Sequence, residues 1–326
     1  MMARLSAAVP AMLVALALGG SGPSHAQGWP SRTIKLVVPF GPGGPTDVSA
    51  RLVAQIVQQD LGATIVVENR PGAGGATGSK SVANAEADGY TLLVGTSATL
   101  AVVPALVKNP GYDPIASFAP VAKVADSTLV MIVPAKFPAN SVQDFVAYAK
   151  ANPGKLSYAS AGAGNQTQLL AELFKAKAGI EAVHVPYKSG AEMVTAVLSE
   201  QVQLSFPDIS ILIPLIRDGK VKALAVTSPQ RHPQLPDVPT MAESGIADFV
   251  LTFWSGVVAP AGTPAAIVEK LNAAIDAGLR TPQIQQTLAG IGAQTTPGSP
   301  QDFARFIASE TVKWRGVAKT AGVAIE

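Results

Sequence analysis

Three times in this chain a short, unbroken apolar run ends in a glycine-rich turn that passes directly into a segment of helical periodicity. The turns are Pro39-Phe40-Gly41-Pro42-Gly43-Gly44-Pro45-Thr46-Asp47, Asn69-Arg70-Pro71-Gly72-Ala73-Gly74-Gly75 and Ser160-Ala161-Gly162-Ala163-Gly164-Asn165-Gln166-Thr167. A strand that is apolar throughout, rather than at alternate positions, is buried on both faces. Strands of that kind joined by helices build parallel α/β sheets. The same rhythm fills most of the chain. Ile34–Pro39, Ile65–Val67 and Tyr90–Val94 read as strands, with helices over Asp47–Leu61 and Thr77–Ala85 between them. Helices over Val142–Ala151, Gln168–Ala178, Ala191–Leu198 and Ile211–Arg217 alternate with strands at Leu156–Ala159, His184–Val185, Val202–Phe206 and Ala223–Val226.

Two apolar strands, Leu129–Val133 and Gly256–Val258, stand between these blocks, bounded by Pro134 and Pro260. They read as crossover strands between two lobes. At about 100–200 residues per domain, the chain of 326 residues has room for both lobes. The expected fold is therefore α/β, with two parallel-sheet domains joined by two crossovers. Lobe 1 combines residues 27–128 with 253–326, and lobe 2 is 129–252. The C-terminal stretch is helical over Pro264–Leu279, Pro282–Ala289 and Pro300–Ala321, each opened by a proline suited to a first turn.

Residues 1–26 read as a signal peptide. Arg4 precedes a mostly apolar run from Leu5 to Leu18, Gly19 and Gly20 end it, and Ser24-His25-Ala26 forms a small-x-small cleavage site. A membrane-spanning helix needs about 20 apolar residues, and this run stops short. Cleavage after Ala26 implies an exported, periplasmic protein.

Composition removes several functions. There is no cysteine, so disulfides, thiol catalysis and zinc–thiolate sites are excluded. The formal net charge of +2 leaves no electrostatic footprint for nucleic acid or anionic lipid. Of three histidines, His25 lies in the leader, and His184 and His232 lack the spacing of a helical metal pair. Neither Ser97 nor Ser160 lies in G-x-S-x-G, and the Gly41 turn carries Thr46 where a dinucleotide fingerprint needs its third glycine. No catalytic residue, metal ligand or cofactor is expected.

What remains is binding. A strand–glycine loop–helix junction offers unpaired N–H groups at the positive end of a helix dipole, a ready anion site. Glycine lets a ligand approach the backbone closely, and in open parallel sheets ligands bind outside the carboxyl ends of the strands.

The residues also carry a resemblance over essentially the whole chain beyond the leader. The segments Pro39–Gly44 with Asp47, Val67–Gly75, Asp88–Leu92 and His184–Lys188 are its first markers. Ala223–Ser228, Pro236–Thr240, Trp254–Gly256 and Ala259–Pro264 continue the series. The chain resembles the Bug family, the substrate-binding receptors of tripartite tricarboxylate transporters. Ser189 before Gly190, and Pro207 before Asp208, depart from the usual pattern. The resemblance implies a two-lobed, type II-like periplasmic binding protein that closes on a small carboxylate and delivers it, as a monomer, to membrane transporter subunits. A sensor protein is a further partner, and an exported α/β enzyme using Ser160 or Asp208 is the rival reading. Carried onto this chain, the ligand-binding candidates are Phe40, Gly43, Gly44, Thr46, Asp47 and Ser97 on lobe 1. On lobe 2 they are Ser160, Gly164, Asn165, Thr167 and Asp208. Asp47 is expected to order its loop rather than face an anion. Arg70 is either a charge partner or a structural residue. Asp208 either caps the following helix or meets a ligand hydroxyl, amine or water far from the carboxylate.

Protein recovered from the periplasm should begin at Gln27, as N-terminal sequencing reads; an intact Met1 terminus contradicts the leader assignment.

Overall fold

The computed structural model describes residues 28–323, so the leader and its cleavage site lie outside the described residues. The first sheet begins with β1 (Ile34–Val38), β2 (Ile65–Asn69) and β3 (Thr91–Thr96), all parallel and joined through α1 (Pro45–Leu61) and α2 (Ala76–Ala83). Successive side chains of a strand point to opposite faces. Ile34, Leu36 and Val38 accordingly pack with α1, whereas Val37 and Leu93 pack with Val82 of α2. After β3 a π-helical turn, Ala98–Val102, runs into the short α3 (Val103–Leu106) and then β4 (Phe118–Thr128).

The chain leaves this sheet within one residue. Leu129 separates β4 from β5 (Val130–Pro134), which belongs to a second sheet. There follow α4 (Val142–Ala151), β6 (Ser157–Ser160), α5 (Gln166–Ala178), β7 (Val183–Pro186), α6 (Gly190–Leu198) and β8 (Leu204–Ser205). A 3-10 turn at Ile209–Ile211, α7 (Ile213–Arg217) and β9 (Val221–Val226) complete the unit. The chain returns as β10 (Thr252–Pro260), followed by α8 (Ala265–Leu279), α9 (Pro282–Gly290), β11 (Ala293–Thr295) and α10 (Pro300–Thr320). The sheet orders are β11-β4-β10-β3-β1-β2 and β7-β6-β8-β5-β9.

The two-sheet α/β architecture matches the sequence reading, with one refinement: both sheets are mixed. β10 runs antiparallel to β3 and β4, and β5 runs antiparallel to β8 and β9. A strand arriving from the other lobe enters by a direct connection rather than a helical crossover, and only the latter imposes parallel pairing. Val130 and Ile132 face α6 and α7, while Met131 and Val133 face α4 and α5, so β5 is buried on both sides. Helix α10 packs on β4 and touches α5. Its buried Glu310 accepts hydrogen bonds from the indole N–H groups of Trp254 (3.0 Å) and Trp314 (3.1 Å).

The two connections between the sheets are pinned side by side by Thr227. Its N–H donates to Leu129 O (2.9 Å), and its hydroxyl accepts from Leu129 N (3.1 Å) and donates to Leu251 O (2.6 Å). Leu251 N closes the set on Thr227 O at 3.1 Å. Thr227 is wholly buried, so water cannot replace these bonds. Among the described residues no helix is long and apolar enough to cross a membrane.

Thr227→Val keeps the shape and strips the hydroxyl, leaving a buried N–H and a buried carbonyl without their partner. Denaturant unfolding should show a loss of about 1–3 kcal/mol, and Thr227→Ser should retain most of it.

Candidate ligand-binding site

A cleft of about 350 Å³ lies between the two sheets, and three helix N-termini open onto it. Gly44, Pro45 and Thr46 bring the start of α1, Asn165, Gln166 and Thr167 the start of α5, and Gly190 and Ala191 the start of α6. Each end arises from local chemistry. Pro45 fits the first turn of α1, and Gly44 supplies no side chain to cap its N–H groups. Asn165 caps α5 by accepting from Thr167 N (2.9 Å), and Thr167 Oγ1 in turn accepts from Ala161 N (2.9 Å). Ser189 caps α6 by accepting from Glu192 N (3.2 Å). Each helix start carries about half a positive charge, and its first N–H groups have no intrahelical acceptor.

The rest of the wall is mainly apolar, formed by Phe40, Phe253, Leu129, Met193 and Ile211. No lysine, arginine or histidine lines the cleft among the described residues, and Asp208 is its one ionisable side chain. Asp208 Oδ1 caps the 3-10 turn by accepting from Ser210 N (2.9 Å), while Oδ2 is buried without a partner. Burial pushes the Asp208 pKa up, although Ser210 and Ser127 oppose the shift.

Of the residues singled out from sequence, Phe40, Gly44, Thr46, Asn165, Thr167 and Asp208 share this cleft. The other five do not line it, and each is engaged by a specific hydrogen bond elsewhere. Gly43 has a φ of 83° and donates its N–H to Asp47 Oδ2 (3.1 Å). Asp47 is buried and also accepts from Arg51 Nε (2.9 Å) and Asn69 Nδ2 (3.0 Å). Burial alone would raise the Asp47 pKa, but these donors hold it below the usual carboxylate value. Ser97 donates to Gln166 Oε1 at 2.7 Å, joining the two lobes. Ser160 is fully buried between Gly162 O (3.0 Å) and His184 Nε2 (2.6 Å). Gly164 donates to Gln168 Oε1 (2.7 Å) from an exposed turn.

The second glycine loop buttresses the first. Asn69 Nδ2 reaches Phe40 O (3.1 Å), and Arg70 pairs with Glu68 rather than entering the cleft. The start of α6 was not anticipated as a third pole, although Ser189 and Glu192 form the Ser-x-x-Glu pattern that marks such a start. Leu129 was read as part of a crossover strand and Phe253 was not singled out, since apolar lining carries no mark of its own.

Two α/β lobes joined by two connections, with helix N-termini facing a shared cleft, define a periplasmic-type solute-binding protein. The model of the tripartite tricarboxylate transporter family receptor matches residues 49–323. The chain belongs to that family. It is 37% identical to Protein BugT of Bordetella pertussis over 94% of this chain and 95% of that one. Among solved structures it is similar to R. palustris Rpa4515 with adipate, at 39% identity and a TM-score of 0.82, covering 91% of this chain and 99% of that one. MatC from Rhodopseudomonas palustris with bound malate is 34% identical with a TM-score of 0.78, covering 89% and 99%.

The geometry separates two neighbouring glycines. Gly44 has a φ of −82°, and a Cβ there would meet nothing within 4 Å. Gly44→Val should therefore fold normally yet fill ligand space and abolish binding. Gly43→Val should cost about 1–2 kcal/mol through its left-handed backbone. Melting and calorimetry of the two variants check this; a Gly44→Val protein with unchanged affinity contradicts the cleft assignment.

Proposed function

We propose that this protein captures a small carboxylate in the inter-lobe cleft and delivers it, chemically unchanged, to membrane transporter subunits of the tripartite tricarboxylate type. The observation that carries the reading is the convergence of three helix N-termini on one cleft without a basic side chain. Together they supply roughly one and a half positive charges, enough to hold one carboxylate through N–H donors. Adipate and malate bound by the related Rpa4515 and MatC proteins support the same class of ligand. Phe40, Gly44, Thr46, Asn165 and Thr167 are the residues assigned to the carboxylate. The bodies that close are residues 27–128 with 253–326, and 129–252. The protein is exported with its leader removed after Ala26, and it acts as a monomer.

A melting screen of mono-, di- and tricarboxylates, aromatic acids and amino acids tests this. At 100 times its Kd a ligand stabilises the folded state by about 2.7 kcal/mol. At least one small carboxylate should raise the melting temperature and be recovered unaltered by NMR. A screen in which no carboxylate shifts melting, or recovery of a converted product, overturns the reading.

A further inference from the structure

We propose that the cleft selects a carboxylate carried on a hydrocarbon body, aliphatic or aromatic, over one that bears a second charge, and that Ile211 sets this preference. The inference rests on the carboxylate-capture reading and deepens it to the class of ligand.

The three helix starts are unequal. The first turn of α5 contains no acid, whereas that of α1 contains Asp47 and that of α6 contains Glu192. An acid in the first turn sits at the positive end of its own helix and offsets it. At α1 the offset is itself relieved, because Arg51 pairs with Asp47 at 2.9 Å. Glu192 instead accepts from Lys188 N (3.1 Å), which holds its charge at the head of α6. One ligand carboxylate therefore has poles at the starts of α5 and α1. A second would be left with α6, where an acid already stands.

The wall beside α6 is apolar. Ile211 Cδ1 lies 3.5 Å from the point that a Cβ on Gly190 would occupy, which places this side chain against the α6 start. Met193 of the same helix also lines the cleft. Ile211 is 38% exposed, so a large apolar side chain stands uncovered inside a binding cleft. Covering it removes apolar surface from water, which a hydrocarbon does and a charged group does not. Phe253 of β10, half-buried, lines the same space from the other lobe. At about 30 Å³ per water, the cleft of about 350 Å³ has room for a carboxylate and a compact hydrocarbon body.

The polar side chains of the cleft offer little to a second charge. Gln166 spends both ends of its amide on Ser97 and Thr252. Thr167 Oγ1 accepts from Ala161 N and donates to Asn165 Oδ1 (3.0 Å). Asp208 Oδ1 is taken by Ser210 N, Oδ2 is enclosed, and the Ser210 side chain is a donor to the same carboxyl. The Thr46 hydroxyl and the Asn165 amide nitrogen stand at the starts of α1 and α5, with the anchored carboxylate.

Isosteric pairs test this on the full mature protein, since an isopropyl end has the shape of a carboxylate: isocaproate against succinate, and the corresponding isopropyl-ended acids against glutarate and adipate. Calorimetry should show the best-fitting monoacid bound roughly tenfold or more tighter than its diacid, with affinity rising about fourfold per added methylene until the cleft is full. Ile211→Asn should weaken the monoacids roughly tenfold and leave the diacids within about twofold. Val312→Asn, at a more exposed apolar side chain outside the cleft, should change neither. Glu192→Gln, which keeps an acceptor for Lys188 N and removes the charge, should tighten the diacids by about two- to fivefold. A diacid that binds as tightly as its monoacid partner overturns the inference, as does a preference unchanged in a folded Ile211→Asn protein. Binding confined to hydroxylated or tricarboxylic acids also overturns it, and leaves the capture reading standing. Absence of binding by every carboxylate removes the capture reading itself.

Discussion

The structure depends on keeping two sheets in register while leaving a cleft between them, and Thr227 meets that requirement. One buried hydroxyl and one peptide unit hold Leu129 and Leu251, so the outgoing and returning segments cannot separate. The pin extends one residue either way, since Ser228 N donates to Thr128 Oγ1 at 3.0 Å. Leu129 lines the ligand cleft and forms a bridge with Asp208. The segment that links the two sheets and the wall of the cleft are therefore partly the same residue.

The cleft holds its positive potential in the backbone rather than in side chains. Arginine or lysine would bring charge on a long flexible stem, whereas a helix start holds its donors in fixed directions. Fixing those directions takes support from behind. Asp47 shows how: it draws Gly43, Arg51 and Asn69 together beneath the α1 start, and Asn69 continues to Phe40 O. The second glycine loop thus serves the site without touching it.

Much of this was legible in the sequence, and the misses have physical causes. Continuous apolar runs gave β1, β3 and β5, and the glycine turns marked the starts of α1 and α5. The short β11 and the antiparallel entry of β10 were not visible, because pairing between residues more than 100 positions apart leaves no local pattern. The candidate site split along a similar line. Turn chemistry locates a loop but does not tell which way its hydroxyls point. Ser97 and Ser160 are serines in the expected loops, yet both spend their side chains on bonds beneath the cleft. Asn165 and Thr167 lie a few residues on and reach its surface.

The Gln166 amide has a consequence of its own. Its oxygen accepts from Ser97 on the first sheet's side, and its nitrogen donates to Thr252 O (3.0 Å), where the chain re-enters that same sheet. Both ends of one planar group are therefore held by segments of the first sheet's side, the turn after β3 and the first residue of β10. Opening the molecule at this point costs two hydrogen bonds made by a single side chain. One buried glutamine thus fastens both the turn after β3 and the strand by which the chain returns.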